Sequence, residues 1–419
     1  MKWYSLVFFA GFLFGCGPDS NAPDQSDTEA LEGLDIDDPQ VVKTLVEKAI
    51  NEEILQKRGK KTQELYYEVN MEQPYTGWIK TLYDDGLICS LFEVRDGKNY
   101  GQRFHFFDSG RKALETGYKD GERHGKHVEW DPSGGGKKWL EGAYLNGEKH
   151  GVFRRWSGGV QLFEKQYEYG KLHGISTEFF PSENGAGKMS EEEYKNGKLH
   201  GRVVRWHSNG QNKVKEQYED GKRQGSFSSW HENGQKSVQA EYRNDELNGP
   251  YTSWYANGQK QVLALFEDGR EQELVVSYYE SGQKQYEARY ENGKVQGMEV
   301  SWYENGQRKS ELERSKDKHV AGKVWLPDGS SCTKSNLKNG SGFLVNYDGE
   351  GNVEEGYEYK DGVLFKLYWY SDDGKVTEMV EHHDGEPLRS ESYDLNGEVT
   401  KVYEMKDGEW EQRPLEPPN

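Results

Sequence analysis

The chain has 419 residues, of which 33% are apolar and 30% are charged, so a conventional thick aliphatic core is excluded. Aromatic residues make up 13% of the chain, which excludes intrinsic disorder because disordered segments are poor in them. The formal net charge of -19 disfavours non-specific attraction of the whole molecule to nucleic acid or anionic lipid. Glycine (50 residues) far exceeds proline (12 residues), which indicates many tight turns.

The N-terminus has the pattern of an export signal. After Met1-Lys2, an uncharged apolar run extends from Trp3 to Phe14, which is too short to span a hydrocarbon core of about 30 Å. We therefore predict a signal peptide over residues 1–15. The run ends in Leu13-Phe14-Gly15-Cys16, which resembles the lipobox of bacterial lipoproteins and implies acylation of Cys16 by palmitate-type chains. An ordinary cleaved signal followed by a chance cysteine is the alternative.

A tether and a helix are predicted next. Seven acidic residues and no Lys or Arg lie between Asn21 and Gln40, which favours a solvated, extended tether over residues 16–37. Asp38-Pro39 then indicates the start of a helix, because Asp can cap a helix and Pro is tolerated in the first turn. The apolar stripe continues to Leu55, so we predict a helical N-terminal cap over residues 38–73 that covers the first edge strand of the following domain.

From Tyr75 onward the sequence repeats with a period near 24 residues. The register is marked by a glycine that follows each turn, and Glu273 fills the position between the last two of these anchor glycines, which are Gly77, Gly101, Gly125, Gly151, Gly174, Gly201, Gly225, Gly249 and Gly297. Five residues after the anchor lies a large side chain, which is tryptophan at Trp130, Trp156, Trp206, Trp230, Trp254 and Trp302. Seven residues before the anchor lies another ring, at Tyr118, Tyr144, Tyr167, Tyr194, Tyr218, Tyr242, Phe266 and Tyr290.

Two turn signals in each period predict a β-hairpin. One is Asn-Gly-Gln or Ser-Gly, as at Asn209-Gly210-Gln211, and the other is Asp-Gly or Asn-Gly, as at Asp220-Gly221. Both dipeptides favour positive φ at the two central positions of a type I′ turn. Stacked hairpins extend one antiparallel sheet and protect all edges except the last two, so we predict an all-β, elongated single sheet of stacked hairpins. We expect the anchor glycines to let neighbouring rings lie across the backbone in place of a core.

The pattern Tyr-x-x-Gly-Lys-x-x-Gly-x-x-x-x-Trp-x-x-Asn-Gly-Gln resembles the bacterial variant of the MORN repeat, and the segments from Tyr194 to Gln211 and from Tyr290 to Gln307 match it closely. The resemblance covers Tyr75 to about Arg308 and implies a module for protein or membrane contact. Some bacterial relatives carry an antitoxin-like label, which implies a toxin partner. We therefore predict MORN-like repeats over 74–310, divergent β-hairpin repeats over 311–410 and a tail over 411–419.

Signals of catalysis or metal binding are weak in this sequence. His124, His150, His173 and His200 each precede an anchor glycine, but one period separates them by about 9.6 Å, too far for one metal ion. Cys89 and Cys332 lie about ten repeats apart, too far for a disulfide. The carboxylates form no pair that departs from the repeat. We predict no enzyme activity, no metal and no cofactor.

Three binding functions remain open from the sequence. The first is an interaction scaffold for an unknown protein partner, with an antitoxin-like or immunity-like role as one version. The second is polysaccharide or cell-wall binding through the aromatic rows, and the third is direct phospholipid binding. Gly17 follows Cys16 in place of the Asp that commonly retains lipoproteins in the inner membrane, so we expect a lipid anchor in the bacterial outer membrane. No nucleic-acid partner is expected.

Overall fold

The computed structural model describes residues 38–60, 64–133, 135–181, 187–316 and 318–415. The predicted signal peptide, the acidic tether and the lipidation residue Cys16 lie outside the described residues. The chain divides into two compact units, residues 1–151 and 152–419.

The first unit combines a helix with short strands and the first hairpin repeats. Its helix is α1 (Pro39–Lys48), and three short strands follow: β1 (Ile50–Asn51), β2 (Leu55–Arg58) and β3 (Leu65–Glu68). The hairpin strands then pair antiparallel with their neighbours in chain order: β4 (Gly77–Leu82), β5 (Ile88–Arg95), β6 (Lys98–Phe106), β7 (Lys112–Lys119), β8 (Glu122–Trp130) and β9 (Lys138–Leu145). The boundary between the units falls inside β10 (Glu148–Ser157).

The helix begins as predicted and ends earlier. The Asp38 side chain accepts a hydrogen bond from the Gln40 N–H at 2.8 Å, so it caps the first turn. The predicted helical stripe through Leu55 is wrong, because Ala49 is already extended and Ile50 of β1 pairs in parallel with Ile79 of β4. Pairing with the sheet satisfies backbone groups that a longer helix would have satisfied internally. The helix and β1 thereby cover the edge strand β4.

The second unit also contains stacked hairpins, and neighbours in chain order within it pair antiparallel. Its strands are β11 (Val160–Glu168), β12 (Lys171–Phe179), β13 (Lys188–Lys195), β14 (Lys198–Trp206), β15 (Asn212–Glu219), β16 (Lys222–Arg223), β17 (Gly225–Trp230), β18 (Lys236–Arg243), β19 (Glu246–Leu247), β20 (Gly249–Trp254), β21 (Lys260–Glu267), β22 (Arg270–Tyr278), β23 (Lys284–Glu291), β24 (Lys294–Trp302), β25 (Arg308–Ser315) and β26 (Lys318–Val324). The predicted fold class, an antiparallel sheet of stacked hairpins behind a short N-terminal helix, is confirmed.

A further sheet lies at the C-terminal end of the second unit. It contains β27 (Gly342–Tyr347), β28 (Val353–Lys360), β29 (Val363–Tyr370), β30 (Val376–His383), β31 (Glu386–Tyr393), β32 (Val399–Lys406) and β33 (Glu409–Arg413). The outer edge of β27 is satisfied by side chains and not by pairing with β26. The Phe343 N–H donates to Asn336 Oδ1 at 2.8 Å, and the Val345 N–H donates to Ser335 Oγ at 3.1 Å. A core of buried side chains joins the two sheets: Tyr303, Val324, Cys332, Leu337, Leu344, Val345 and Tyr347.

Backbone conformation is the common requirement for the anchor glycines, and the expected packing of a ring is found at Gly77, where an added Cβ would lie 2.6 Å from the Tyr75 hydroxyl oxygen. Their φ angles are all positive: 82° at Gly125, 77° at Gly151, 82° at Gly174, 109° at Gly201, 71° at Gly225, 125° at Gly249 and 74° at Gly297. A Cβ added at Gly125, Gly151, Gly225 or Gly297 would meet nothing within 4 Å. Space therefore permits a side chain at these positions, and the left-handed φ disfavours it.

The two turn signals give two different turns. At Asp220-Gly221 both residues have positive φ, 50° and 88°, as predicted for type I′. At Asn209-Gly210 only the glycine is left-handed, so the type I′ prediction is wrong for the Asn-Gly-Gln turns. There the Gly210 N–H donates to the His207 carbonyl at 2.9 Å and the pairing register shifts before Trp206, which is the geometry of a type I turn followed by a bulge.

Candidate interaction surface

Hydrogen bonds between successive repeats hold the Asn-Gly-Gln turns in line. In the turn at Asn257, the side-chain oxygen accepts from the Gln259 N–H at 2.9 Å and the side-chain NH₂ donates to the Glu280 carbonyl of the next repeat at 2.7 Å. Equivalent bonds are made by Asn209, Asn233 and Asn305 at 2.6 to 2.8 Å. We had assigned these asparagines only a turn role, although their recurrence at the repeat period was the signal for an inter-repeat contact.

In several repeats the residue after the large aromatic side chain makes a second ladder of hydrogen bonds, which the sequence did not predict. The Tyr279 hydroxyl donates to the Trp302 carbonyl at 2.8 Å, and the Tyr255 hydroxyl to the Tyr278 carbonyl at 2.8 Å. In two other repeats histidine takes this place, and His207 Nε2 lies 2.9 Å from the Trp230 carbonyl. The Trp position is thus fixed through its backbone by the preceding repeat.

The polar residue before each anchor connects the turns at the other end of the hairpins. The Asp220 N–H donates to His200 Nδ1 at 3.3 Å, and Gln224 Oε1 accepts from the Asn244 N–H at 2.9 Å. Histidine and glutamine therefore make equivalent hydrogen bonds at this position, which agrees with the interpretation of the histidines as polar turn residues. Within the described ranges, no group of three or more His, Cys, Asp or Glu side chains is placed to hold a metal ion.

Strand alternation in the second unit separates two faces, and the first is here called the tyrosine face. It carries the half-buried rings Tyr194, Tyr218, Tyr242, Phe266 and Tyr290. Tyr242 packs edge-on against Phe227 with ring centroids 5.7 Å apart. Arg205 on this face bonds both Glu192, at 2.9 Å, and the buried Glu216, at 2.8 Å. Burial and the hydrogen bond to Glu192 raise the pKa of Tyr194.

The opposite face, here called the tryptophan face, carries Trp206, Trp230, Trp254 and Trp302, all half-buried. Each of these residues ends its strand and pairs across the hairpin with the first residue of the next strand, such as Lys236 opposite Trp230. A lysine ammonium also lies near several of the rings: Lys188 is 6.0 Å from the Trp206 centroid, and Lys215 is 5.5 Å from the Trp230 centroid. These distances are within reach of a cation–π attraction.

A continuous cross-strand row follows the middle of the tryptophan face. This central row consists of Thr177, Glu191, Val204, Lys215, Ser228, Gln239, Thr252, Leu263, Val276, Glu287, Val300 and Glu311. Its glutamates pair with the cation three residues earlier, as in Lys284–Glu287 at 2.5 Å and in Lys188–Glu191. The Lys188 ammonium holds the pKa of the Glu191 carboxyl below its ordinary value.

The remaining site residues of the sequence analysis occupy equivalent places. Trp130 of the first unit lies 5.8 Å from the Lys112 ammonium and pairs with Lys138. Trp156 is the last residue but one of β10 and is half-buried. Cys89 and Cys332 are free thiols, and Cys332 Sγ lies 3.1 Å from the Tyr347 hydroxyl in the buried core between the sheets. No helix among the described residues is long and apolar enough to cross a bilayer.

Comparison with known proteins identifies the repeats. Residues 223–244, 247–268 and 274–292 match the family model of the MORN repeat variant. The predicted resemblance is confirmed over these three repeats, so the chain contains a MORN-type repeat scaffold, while its antitoxin-like and lipoprotein parts stay predictions. No curated protein sequence matches the chain.

Comparison with solved structures gives two weak matches. One is the Photorhabdus luminescens Tc holotoxin pore in a mutant form, with 11% identity, a TM-score of 0.13 and coverage of 79% of this chain and 23% of that chain. The other is TcdB2-TccC3, with 10% identity, a TM-score of 0.14 and coverage of 85% of this chain and 25% of that chain. This chain thus spans a quarter or less of their lengths, and TM-scores this low carry no argument about fold or function.

Proposed function

We propose that the chain is a non-catalytic repeat scaffold that binds a protein partner through the aromatic rows of its stacked hairpins. The observation that carries this proposal is the tyrosine face, where half-buried rings recur every two strands, about 9.6 Å apart, beside an arginine held by two carboxylates. Tyrosine, tryptophan and arginine are the residues most enriched at binding hot spots. A row of them at constant spacing offers a partner several equivalent contacts at once.

Site-specific photocrosslinking in cells tests this proposal. A photoreactive phenylalanine analogue replaces Tyr218 or Tyr242 on the tyrosine face, where it keeps an aromatic ring. As matched controls it replaces Lys198 or Lys222, at exposed positions next to the turns. We expect a discrete crosslinked protein from the tyrosine positions and not from the turns. Equal crosslinking from both sets, or none from either, would contradict the proposal. A captured toxin would assign the immunity-like version.

We further propose that Cys16 anchors this scaffold to the bacterial outer membrane. The lipobox-like sequence and Gly17 support the proposal, and two acyl chains on one cysteine would be enough for stable anchoring. Membrane fractionation of the wild type and Cys16→Ser tests it, with release of the variant into the soluble fraction as the expected result. Equal recovery of both proteins in the outer membrane would refute the lipid anchor.

A further inference from the structure

The central row of the tryptophan face changes character in three consecutive repeats. In the flanking repeats its positions hold Glu191, Glu287 and Glu311, each paired with the Lys or Arg three residues earlier. In the three repeats between them the same positions hold Lys215, Gln239 and Leu263. The carboxylate that neutralises this face elsewhere is therefore replaced three times in succession.

Uncompensated positive charge results from these replacements. Lys236 bonds the neutral amide of Gln239 at 2.8 Å instead of a carboxylate. Lys260 has Leu263 at the position where other repeats place glutamate, and Lys215 adds a cation of its own. Across residues 187–316, none of these three exposed lysines has a carboxylate within ion-pair distance. We call Lys215, Lys236 and Lys260 the basic stretch.

Rings and hydroxyl groups accompany these cations. Ser228 and Thr252 occupy the central row between the replaced positions, and Trp230 and Trp254 end the same strands. A set of one cation, one ring and one hydroxyl occurs twice, as Lys236, Trp230 and Ser228 and as Lys260, Trp254 and Thr252, and the two sets lie two strands or about 9.6 Å apart. Lys215 adds a second cation 5.5 Å from the Trp230 centroid. The basic stretch lies on a chain whose net charge is -19, so its positive charge is opposite to the charge of the molecule as a whole.

We propose that the basic stretch of the tryptophan face binds a linear acidic polysaccharide with one carboxylate per disaccharide. An extended disaccharide has about the length of two strand spacings, so successive carboxylates meet Lys236 and Lys260 while sugar rings contact the indoles and the row hydroxyls. Lys215 adds positive charge beside the first of these positions. A β-strand peptide repeats every two residues, about 6.7 Å, and falls out of register with the lysines. A membrane surface has no repeat to match the spacing of the lysines. This activity goes beyond the proposed protein binding and uses the other face.

Restoring the missing carboxylates tests the proposal. The triple variant Lys215→Glu, Gln239→Glu, Leu263→Glu gives these repeats the residue that Glu191 and Glu287 supply in their neighbours. Lys198→Glu with Lys222→Glu is the matched control, because it changes the net charge by the same -4 at exposed positions next to the turns. Since Leu263 is half-buried, the double variant Lys215→Glu, Gln239→Glu alters exposed positions only and is measured alongside. Circular dichroism confirms that every variant remains folded.

Calorimetric titration of the full chain uses hyaluronan oligosaccharides as the acidic probe and cello-oligosaccharides as the neutral one. We expect the wild type to bind hyaluronan. We expect the triple variant to bind it about tenfold more weakly, because three exposed charge contacts of about 0.5 kcal/mol each are lost. The affinity of the turn control should stay within about twofold of the wild type. Equal loss in the turn control, or absence of hyaluronan binding by the wild type, overturns the proposal. Tighter binding of polyglutamate or of phosphatidylglycerol vesicles also overturns it, in favour of an acidic peptide or a membrane. Photocrosslinking from the tyrosine face is independent of all these outcomes.

Discussion

Glu273 predicts a stabilising substitution, because it occupies an anchor position in the left-handed region. Its φ is 57°, while the anchor glycines of the neighbouring repeats have φ of 125° at Gly249 and 74° at Gly297. The Glu273 side chain is exposed, so its removal opens no cavity. A non-glycine residue in this region costs about 1–2 kcal/mol. Glycine in turn gives the unfolded chain more freedom, which offsets about 0.4–1 kcal/mol of that gain.

We therefore expect Glu273→Gly to stabilise its hairpin by about 0.5–1 kcal/mol. Because a repeat array opens locally, native-state hydrogen exchange of the β22 and β23 amides is the appropriate assay. The expected result is exchange slowed about 2–5-fold in these strands and unchanged in distant ones.

Two matched variants control for glycine itself. Gly225→Ala places a methyl group in open space at a φ of 71°, so it is expected to speed exchange of its own hairpin through backbone strain alone. Glu219→Gly, at an exposed strand position outside the left-handed region, is expected to destabilise. If Glu273→Gly sped exchange as Glu219→Gly does, backbone strain would not be the reason for the anchor glycines.

Three further outcomes follow from the ladders and the core between the sheets. Tyr279→Phe removes the hydroxyl that donates to the Trp302 carbonyl, and we expect it to destabilise this part of the array by about 1 kcal/mol. The measurement is faster hydrogen exchange of β24 and β25. The equivalent hydrogen bond of Tyr255 is left in place and serves as the internal control. Asn257→Asp keeps the acceptor for the Gln259 N–H and removes the donor to the next repeat, so it should cost less than Asn257→Ala in chemical denaturation; equal costs of the two variants would show that the inter-repeat bond dominates. Burial raises the pKa of Tyr303 to about 12, so the folded state holds the hydroxyl proton more tightly than the unfolded chain. The contribution of Tyr303 to stability is therefore intact below about pH 10 and is lost as the pH rises toward 12. Ultraviolet difference titration of the wild type and Tyr303→Phe would detect this ionisation.

The hairpins could be predicted from sequence because their signals are local. Asp-Gly at 220–221 fixes two φ angles without help from the rest of the chain, and Asp38 before a proline fixes the start of α1. The end of that helix is a tertiary effect: Ile50 leaves the helical path because β4 offers it a backbone partner. No pattern within the helix itself carries that information.

The break between the two sheets and the character of the tryptophan face were hidden for different reasons. The turn rhythm continues past residue 330, so it could not reveal that Asn336 and Ser335 would cap β27 in place of a strand. The loss of the glutamates beside the basic stretch could be read from the sequence, since Lys215 and Gln239 stand where other repeats have glutamate. Its meaning required the register that places Lys215 opposite Ser228 and next to Trp230.

Positions that determine the fold and positions free to carry function are separated within each repeat. The left-handed anchor accepts even Glu273 at an energetic cost, and the turn asparagines recur because each bonds its neighbour, so these residues respond to the backbone. The alternate positions of the central row respond to no such demand, because glutamate, lysine, glutamine and leucine all occupy them on strands of the same register, at Glu287, Lys215, Gln239 and Leu263. A substitution there changes the charge of the surface and leaves the ladders intact. Binding specificity of this scaffold can therefore be determined by the variation of charge along the central row and not by the consensus residues of the repeat.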